Sequence, residues 1–534
     1  MYFTLKYYTE HDTIKMVKGK WLPIVALFII FSTLQTKAQP NNKDTYSNNY
    51  PPAVEEVLRM TTNRLELEKV INHYSNKADS LKRKAAYFLI ANMDIHSSNN
   101  YYWADINNQK VAFNELDYPD FDSSLRAFEV FKKQTPKIHP IPVSYKDMDY
   151  LKADFLIENI DQAFVLWKKT WAKPLSFDDF CEYLLPYRIR TEPVQDWRNK
   201  YKATLKNVID SSTNLPVSLA LINLTTNCRS WFLAKDIDPR DETLTHLGAL
   251  QLLTHKQGAC EDFTALGVFA ARTMGIATAF EYIPAWATST NRHMFNAAIL
   301  GKDSTLPFEC LDYKSVTEFD LKREPGKVAR ITYSKQPNVL VNDEAKENIP
   351  PGFMRTKNYK DVTSKYWEVQ NVHANLFTKP AMPKNVYACV FNGLMWRPIW
   401  WGNVQNDTTN FLQMGKGVTY LPMYYLHNKL EPAGYPIAVG YHHTAVLQPD
   451  TINTRTIQLP EQDKYLIYRP AKRYTLFYWN NQWLKIAEQV TADDTRVLTF
   501  DKVPKNALLL MIPEYTQGKE RPFIITEEGK RVWW

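Results

Sequence analysis

Several things are missing from this chain of 534 residues. No apolar run is long enough for an ordinary membrane span: Trp21 to Leu34 holds 14 mostly apolar residues, and a spanning helix needs about 20. Cysteine is scarce and scattered. Cys181, Cys228, Cys260, Cys310 and Cys389 form no CxxC pair and no metal-ligand spacing, which excludes a zinc-ribbon or iron–sulfur framework. No P-loop, GxGxxG, HExxH or EF-hand pattern occurs, so no cofactor and no metal is expected. Net charge is +8 over 65 basic and 57 acidic residues, with no basic stripe or arginine-rich run. Nucleic acid is therefore excluded as the expected partner. No internal repeat is present. Glycine is sparse at 16, while aromatics reach 13% and apolar residues 45%, a composition that buries cores rather than staying disordered.

What is present begins with an export pattern. Lys15, Lys18 and Lys20 precede the apolar run, and Thr36-Lys37-Ala38 before Gln39 reads as a small-residue cleavage site. Residues 1–38 are expected to be a signal peptide, with Met16 the better start. An uncleaved anchor is the competing reading. No cysteine follows directly, so the lipid-attachment pattern is absent. The expected location is the periplasm or cell surface, with membrane contact only through that signal. An odd number of cysteines in an exported chain leaves at least one thiol free or joined to another molecule.

Residues 39–210 are expected to be mainly helical, after a polar linker at 39–50. Leu81, Ala85, Phe88, Leu89 and Met93 fall at helical spacing on one face. Ser176 with Asp179 three residues on reads as a helix start. Residues 211–345 form a mixed core, with a helix after Cys260 stopped by Gly275. Strands are expected at 276–283, 293–300 and 306–311, with a turn at Gly301-Lys302-Asp303-Ser304. Residues 346–460 read as a β-sandwich and 461–534 as a second small β domain, from many short strands between turn residues. Their Tyr, Trp and Phe residues read as sandwich core or as a glycan- or peptide-binding surface.

The chemistry concentrates at Gly258-Ala259-Cys260-Glu261-Asp262-Phe263. Here a thiol opens a helix, where the terminal N–H groups favour negative charge. His293 follows 33 residues later and Asp312 another 19. Cys, His and Asp in that order supply a nucleophile, a base and an orienter of the imidazole. Cys310 shares a face with Asp312 and reads as core. Each residue alone has an ordinary structural reading; the combination is the signal.

These residues resemble the core of the transglutaminase-like superfamily. Its pattern of Gly-x-Cys-x-Asp-Phe, a Met-Gly-Ile helix end, His-x-aromatic-Asn on one strand and Asp on the next is matched by Gly258 to Phe263, Met274-Gly275-Ile276, His293-Met294-Phe295-Asn296 and Asp312. The similarity covers roughly residues 215–330. Phe295 stands where the family often has Trp, and Asp312 lacks a preceding Trp. The resemblance implies an α+β fold, papain-like in its core, with the Cys helix packed on an antiparallel sheet. It implies acyl transfer from an amide through a thioester, and an upstream oxyanion helper, for which Trp231 and Gln257 are the candidates. The expected function is an exported cysteine enzyme acting on peptide, protein or cell-wall peptide amides, with hydrolysis favoured over cross-linking. The alternative is a non-catalytic glycan- or peptide-binding envelope protein on the same core.

Overall fold

The computed structural model describes residues 50–534, apart from positions 136, 170, 172–174, 236–243, 302 and 464. The expected signal peptide and linker lie outside the described residues. Among the described residues, no helix is long and apolar enough to cross a membrane. The fold is α+β, with several antiparallel sheets and separate groups of helices.

At the centre is a five-stranded antiparallel sheet. Its order is Ser304–Phe308, His293–Gly301, Thr278–Ile283, Ala329–Ile331 and Tyr359–Asp361. Alternation along His293–Gly301 decides what lies on each side. Met294 and Ala298 share a core with Leu266, Phe269 and Ala270 of the helix Cys260–Met274. Ala297 and Ile299 instead face the N-terminal helices, in a core with Leu89, Ile160 and Leu185. The strand is thus buried on both faces, which is why its residues read as a nearly continuous apolar run. Gly275 ends the cysteine helix at φ 94°, a left-handed conformation that favours glycine.

The cysteine helix is fixed to its surroundings by polar contacts along its length. Near its C-terminus, buried Arg272 donates to the carbonyls of Tyr183, Pro186, Arg188 and Thr278. Burial lowers the pKa of this guanidinium to about 10. One turn in from its N-terminus, buried Asn296 of the histidine strand donates Nδ2 to the Thr264 carbonyl at 2.8 Å. The amide fits because Gly267 has no side chain: a Cβ there would lie 2.5 Å from Asn296 Oδ1.

The N-terminal region packs helices Pro52–Met60, Arg64–His73, Ser80–Ala91 and Ala153–Trp167 around Val57, Leu67, Ala85, Leu89, Leu156 and Ile160. Of the expected apolar face, Leu81 is 45% exposed because it lies in the helix's first turn. Two strands, Ser97–Ala104 and His139–Lys146, pair antiparallel and enclose the helix Phe121–Gln134. The sequence reading missed them. Pro140 and Pro142 sit in the second of these strands, since a two-stranded ribbon has an open edge that tolerates proline.

The sequence-based boundaries shift at two places. The central sheet takes Tyr359–Asp361 from beyond residue 345, and the last module begins at Asp450–Pro460, which pairs with Val497–Lys505. Each C-terminal module places a two-stranded sheet against a larger one, five- or six-stranded. Where the modules meet, Trp396, Trp479 and Trp483 pack edge to face at 5.2–5.4 Å.

The close fit at Gly267 gives a test. Glycine to alanine adds helix propensity of about 1 kcal/mol, whereas overfilling a packed site costs about 1–3 kcal/mol. With Asn296 unable to withdraw, Gly267→Ala is expected to lower the urea midpoint. A variant as stable as the parent would show that the histidine strand gives way easily.

Candidate active site

The segment before Cys260 is shaped by a side chain that comes after it. Asp262 turns back and accepts the Ala259 N–H at 2.9 Å, the acidic half of a helix-start capping arrangement. Its carboxyl then occupies the space over Gly258, where a Cβ would lie 2.6 Å from Asp262 Cβ. This explains the spacing of Gly258, Cys260 and Asp262. Thr264 Oγ1 donates to the Cys260 carbonyl at 2.7 Å, fixing the first turn. Cys260 is the first residue of the helix, so the N–H groups of that turn point out of the end where its thiol sits.

Four of the five cysteines are buried; Cys260 alone is half-exposed. Burial pushes the thiols of Cys181, Cys310 and Cys389 well up, and the thiol of Cys228 beside Cys310 adds to the effect there. Cys310 is a core residue, as its sequence context implied.

Cys260 Sγ lies 3.4 Å from Met294 Sδ, which brings the thiol to the start of the histidine strand. His293, the residue before Met294, is flanked by the rings of Trp286 at 5.6 Å and Phe295 at 5.9 Å. Its Nε2 is 3.1 Å from Glu309 Oε1. The carboxylate at the imidazole is therefore Glu309, whereas Asp312 was the expected orienter. Asp312 Oδ1 instead accepts the Lys314 N–H at 3.0 Å and caps the short turn Tyr313–Val316.

Register explains the exchange. The turn pairs Gly301 with Ser304, and an unbroken ladder from there would set His293 opposite Asp312. A bulge between Ile299 and Gly301 shifts the pairing by one residue, so that Ile299 faces Thr305 and Asn296 faces Phe308. Continued one step past its last pair, this register would set Glu309 opposite Phe295, on the face that His293 shares. Asp312 keeps a supporting part in this. Its N–H bonds the Glu309 carbonyl at 3.0 Å. Buried Ser315 donates Oγ to the Asp312 carbonyl and takes the Glu309 N–H at 2.7 Å.

The two oxyanion candidates are placed differently. Trp231 ends the helix Val217–Trp231 and donates its indole N–H to Asn227 Oδ1 of the same helix at 3.1 Å. Gln257 lies in the two-residue strand Gln257–Gly258, paired in parallel with Leu233–Ala234 and leading directly to Cys260. Of the two, Gln257 is the one on the thiol's own segment.

Sequence reasoning missed a charged clamp around Glu261. Arg190 meets this carboxylate at 3.0 Å and Arg292 at 3.2 Å. Burial alone would raise the Glu261 pKa; the two guanidiniums overcome that and hold it below the ordinary value. Burial lowers nearby His246 to about 4, which keeps it neutral at physiological pH. The clamp joins the N-terminal region, the cysteine helix and the residue before His293. Its members lie 71 and 31 residues apart in sequence, too far for local patterning to link them.

No family model and no curated protein matches the chain. Among solved structures, it is similar to one described as "a Putative Cysteine Protease from Cytophaga hutchinsonii". Identity is 17% over 22% of this chain and 38% of that one, with a TM-score of 0.19. It is also similar to red sea bream transglutaminase, at 10% identity over 80% of this chain and 76% of that one, with a TM-score of 0.20. TM-scores this low decide neither fold nor activity, so the distances above carry the description of the site.

Asp262 gives a pH test. Burial raises its pKa from 3.8 to about 6, so the folded chain holds this proton more tightly than the unfolded chain. The stabilisation is full below about pH 4 and is lost as pH rises through 6; its upper size is roughly 3 kcal/mol. Asp262→Asn cannot lose it. The stability of the parent minus that of Asp262→Asn, from denaturant titrations, is expected to fall between pH 4 and 6. A difference flat across that window would place the carboxyl in water.

Proposed function

We propose that the chain is an exported cysteine enzyme that cleaves amide bonds in peptides, proteins or cell-wall peptides through a thioester. The observation that carries this reading is the half-exposed Cys260 thiol at a helix N-terminus, beside the strand on which His293 pairs with Glu309. Export rests on the sequence pattern of residues 15–38.

With Nε2 held by Glu309, the Nδ1 lone pair of His293 takes the Cys260 proton. The thiolate adds to the amide carbonyl carbon, and the helix-end N–H groups stabilise the oxyanion, with Gln257 as side-chain helper. The imidazolium returns its proton to the departing amine, leaving a thioester and neutral His293. Water then loses a proton to His293 and attacks the thioester; the acid departs and the thiol is restored. An amine in place of water would give a new amide. Hydrolysis is favoured because water is always present.

The test needs no known substrate. Alkylation of Cys260 by iodoacetamide, followed by peptide mapping over a range of pH, is expected to show a thiolate well below the ordinary thiol range. His293→Ala should move that titration upward, and Glu309→Gln should do so more than Asp312→Asn. On a cleaved peptide, His293→Ala should lose about 10²–10⁴-fold in rate, the size of a general acid–base contribution. An ordinary thiol titration that is indifferent to His293 would end this reading.

A further inference from the structure

The loop from Pro284 to Arg292 leads into His293, and it is held from outside the core. Asn392 ends the strand Asn385–Asn392 in the first C-terminal module. Its Nδ2 donates to the carbonyls of Trp286, Ser289 and Asn291 at 2.9, 3.0 and 2.9 Å. One amide group thus serves three acceptors in a single loop, and its residue is 6% exposed. The same loop is closed by the Trp286 N–H on the Asn291 carbonyl at 3.1 Å, and Thr288 donates to Glu324 at 2.6 Å. Without the amide, the Trp286 and Ser289 carbonyls would lose this donor, and the Asn291 carbonyl would keep only the Trp286 N–H.

The hairpin that presents Asn392 is itself constrained. Its two turn residues, Gly393 and Leu394, sit at φ 61° and 60°. This is the tight two-residue turn geometry, and it suits glycine but strains leucine. Such strain persists where surrounding packing demands it, and here Leu394 is packed against the core formed where the two C-terminal modules meet. What the loop carries is Trp286, 7% exposed and stacked on His293 with an interplanar angle of 23°.

We propose that Asn392 is a positioning residue for His293: by clamping the 286–291 loop it sets Trp286 against the imidazole, so the C-terminal module completes the site. This rests on the reading of His293 as the base. The chain of contacts is short. The Asn392 amide fixes three carbonyls, the carbonyls fix Trp286, and the Trp286 ring fixes the plane in which His293 meets Glu309. An enzyme cut after the core, near residue 361, would keep Cys260, His293 and Glu309 in sequence but lose the clamp.

The experiment uses the full chain with ¹³C-labelled histidine. The His293 ring resonance is assigned by its loss in His293→Ala. Asn392→Asp keeps the size but removes the donors and faces three carbonyls with a carboxylate; Asn392→Ala removes both size and donors. Both are expected to move and broaden the His293 resonance while leaving those of buried His96 and His255 in place, which reports intact folding. In the same variants, alkylation of Cys260 at neutral pH should slow about tenfold for each unit by which its titration rises. A His293 resonance unmoved in Asn392→Asp overturns the proposal, as does one that moves together with those of His96 and His255. If the resonance moves but Cys260 has an ordinary titration even in the parent, the clamp stands and the enzyme reading falls.

Discussion

One amide crossing between a strand and a helix holds the rest in place. Asn296 reaches from the histidine strand to the Thr264 carbonyl, over a glycine that leaves it room. Thr264 in turn bonds the Cys260 carbonyl through its hydroxyl. The thiol and the imidazole therefore belong to two elements fastened one turn into the helix. A buried amide of this kind is costly unless bonded, so the contact also resists sliding of the strand along the helix. Arg272 does comparable work at the other end, tying the same helix to four carbonyls.

The site draws on three parts of the chain. The N-terminal region supplies Arg190, from a segment between helices, to the Glu261 clamp, and its helices cover the sheet face opposite the cysteine helix. The core supplies Cys260, His293 and Glu309. The first C-terminal module supplies Asn392. Excision of the core as an isolated domain would leave the sheet bare on one face and the loop before His293 unheld.

Much of this was legible in the sequence because it is local. The cysteine helix from its N-terminal turn to Gly275, and the strand beginning at His293, were marked by period, caps and breakers that act within a few residues. The C-terminal strands were legible from turn residues at short intervals. Pairing was harder to read. Glu309 was in plain view beside Asp312, and choosing between them needed the register of a hairpin whose bulge no residue type announces. The Arg190–Glu261–Arg292 clamp and the Asn392 loop contacts join residues that only the folded chain brings together. The strands at 97–104 and 139–146 pair across the intervening residues 105–138, a contact that no local pattern announces.

The bulge between Ile299 and Gly301 also bears on how the chain can vary. Surface hairpin turns usually accept an added or lost residue at little cost. Here such a change would alter the phase of the following strand, moving Phe308 or Cys310 into the place of Glu309. The constraint on this turn thus falls on the number of its residues more than on their identity, so substitutions there should be tolerated where single insertions are not.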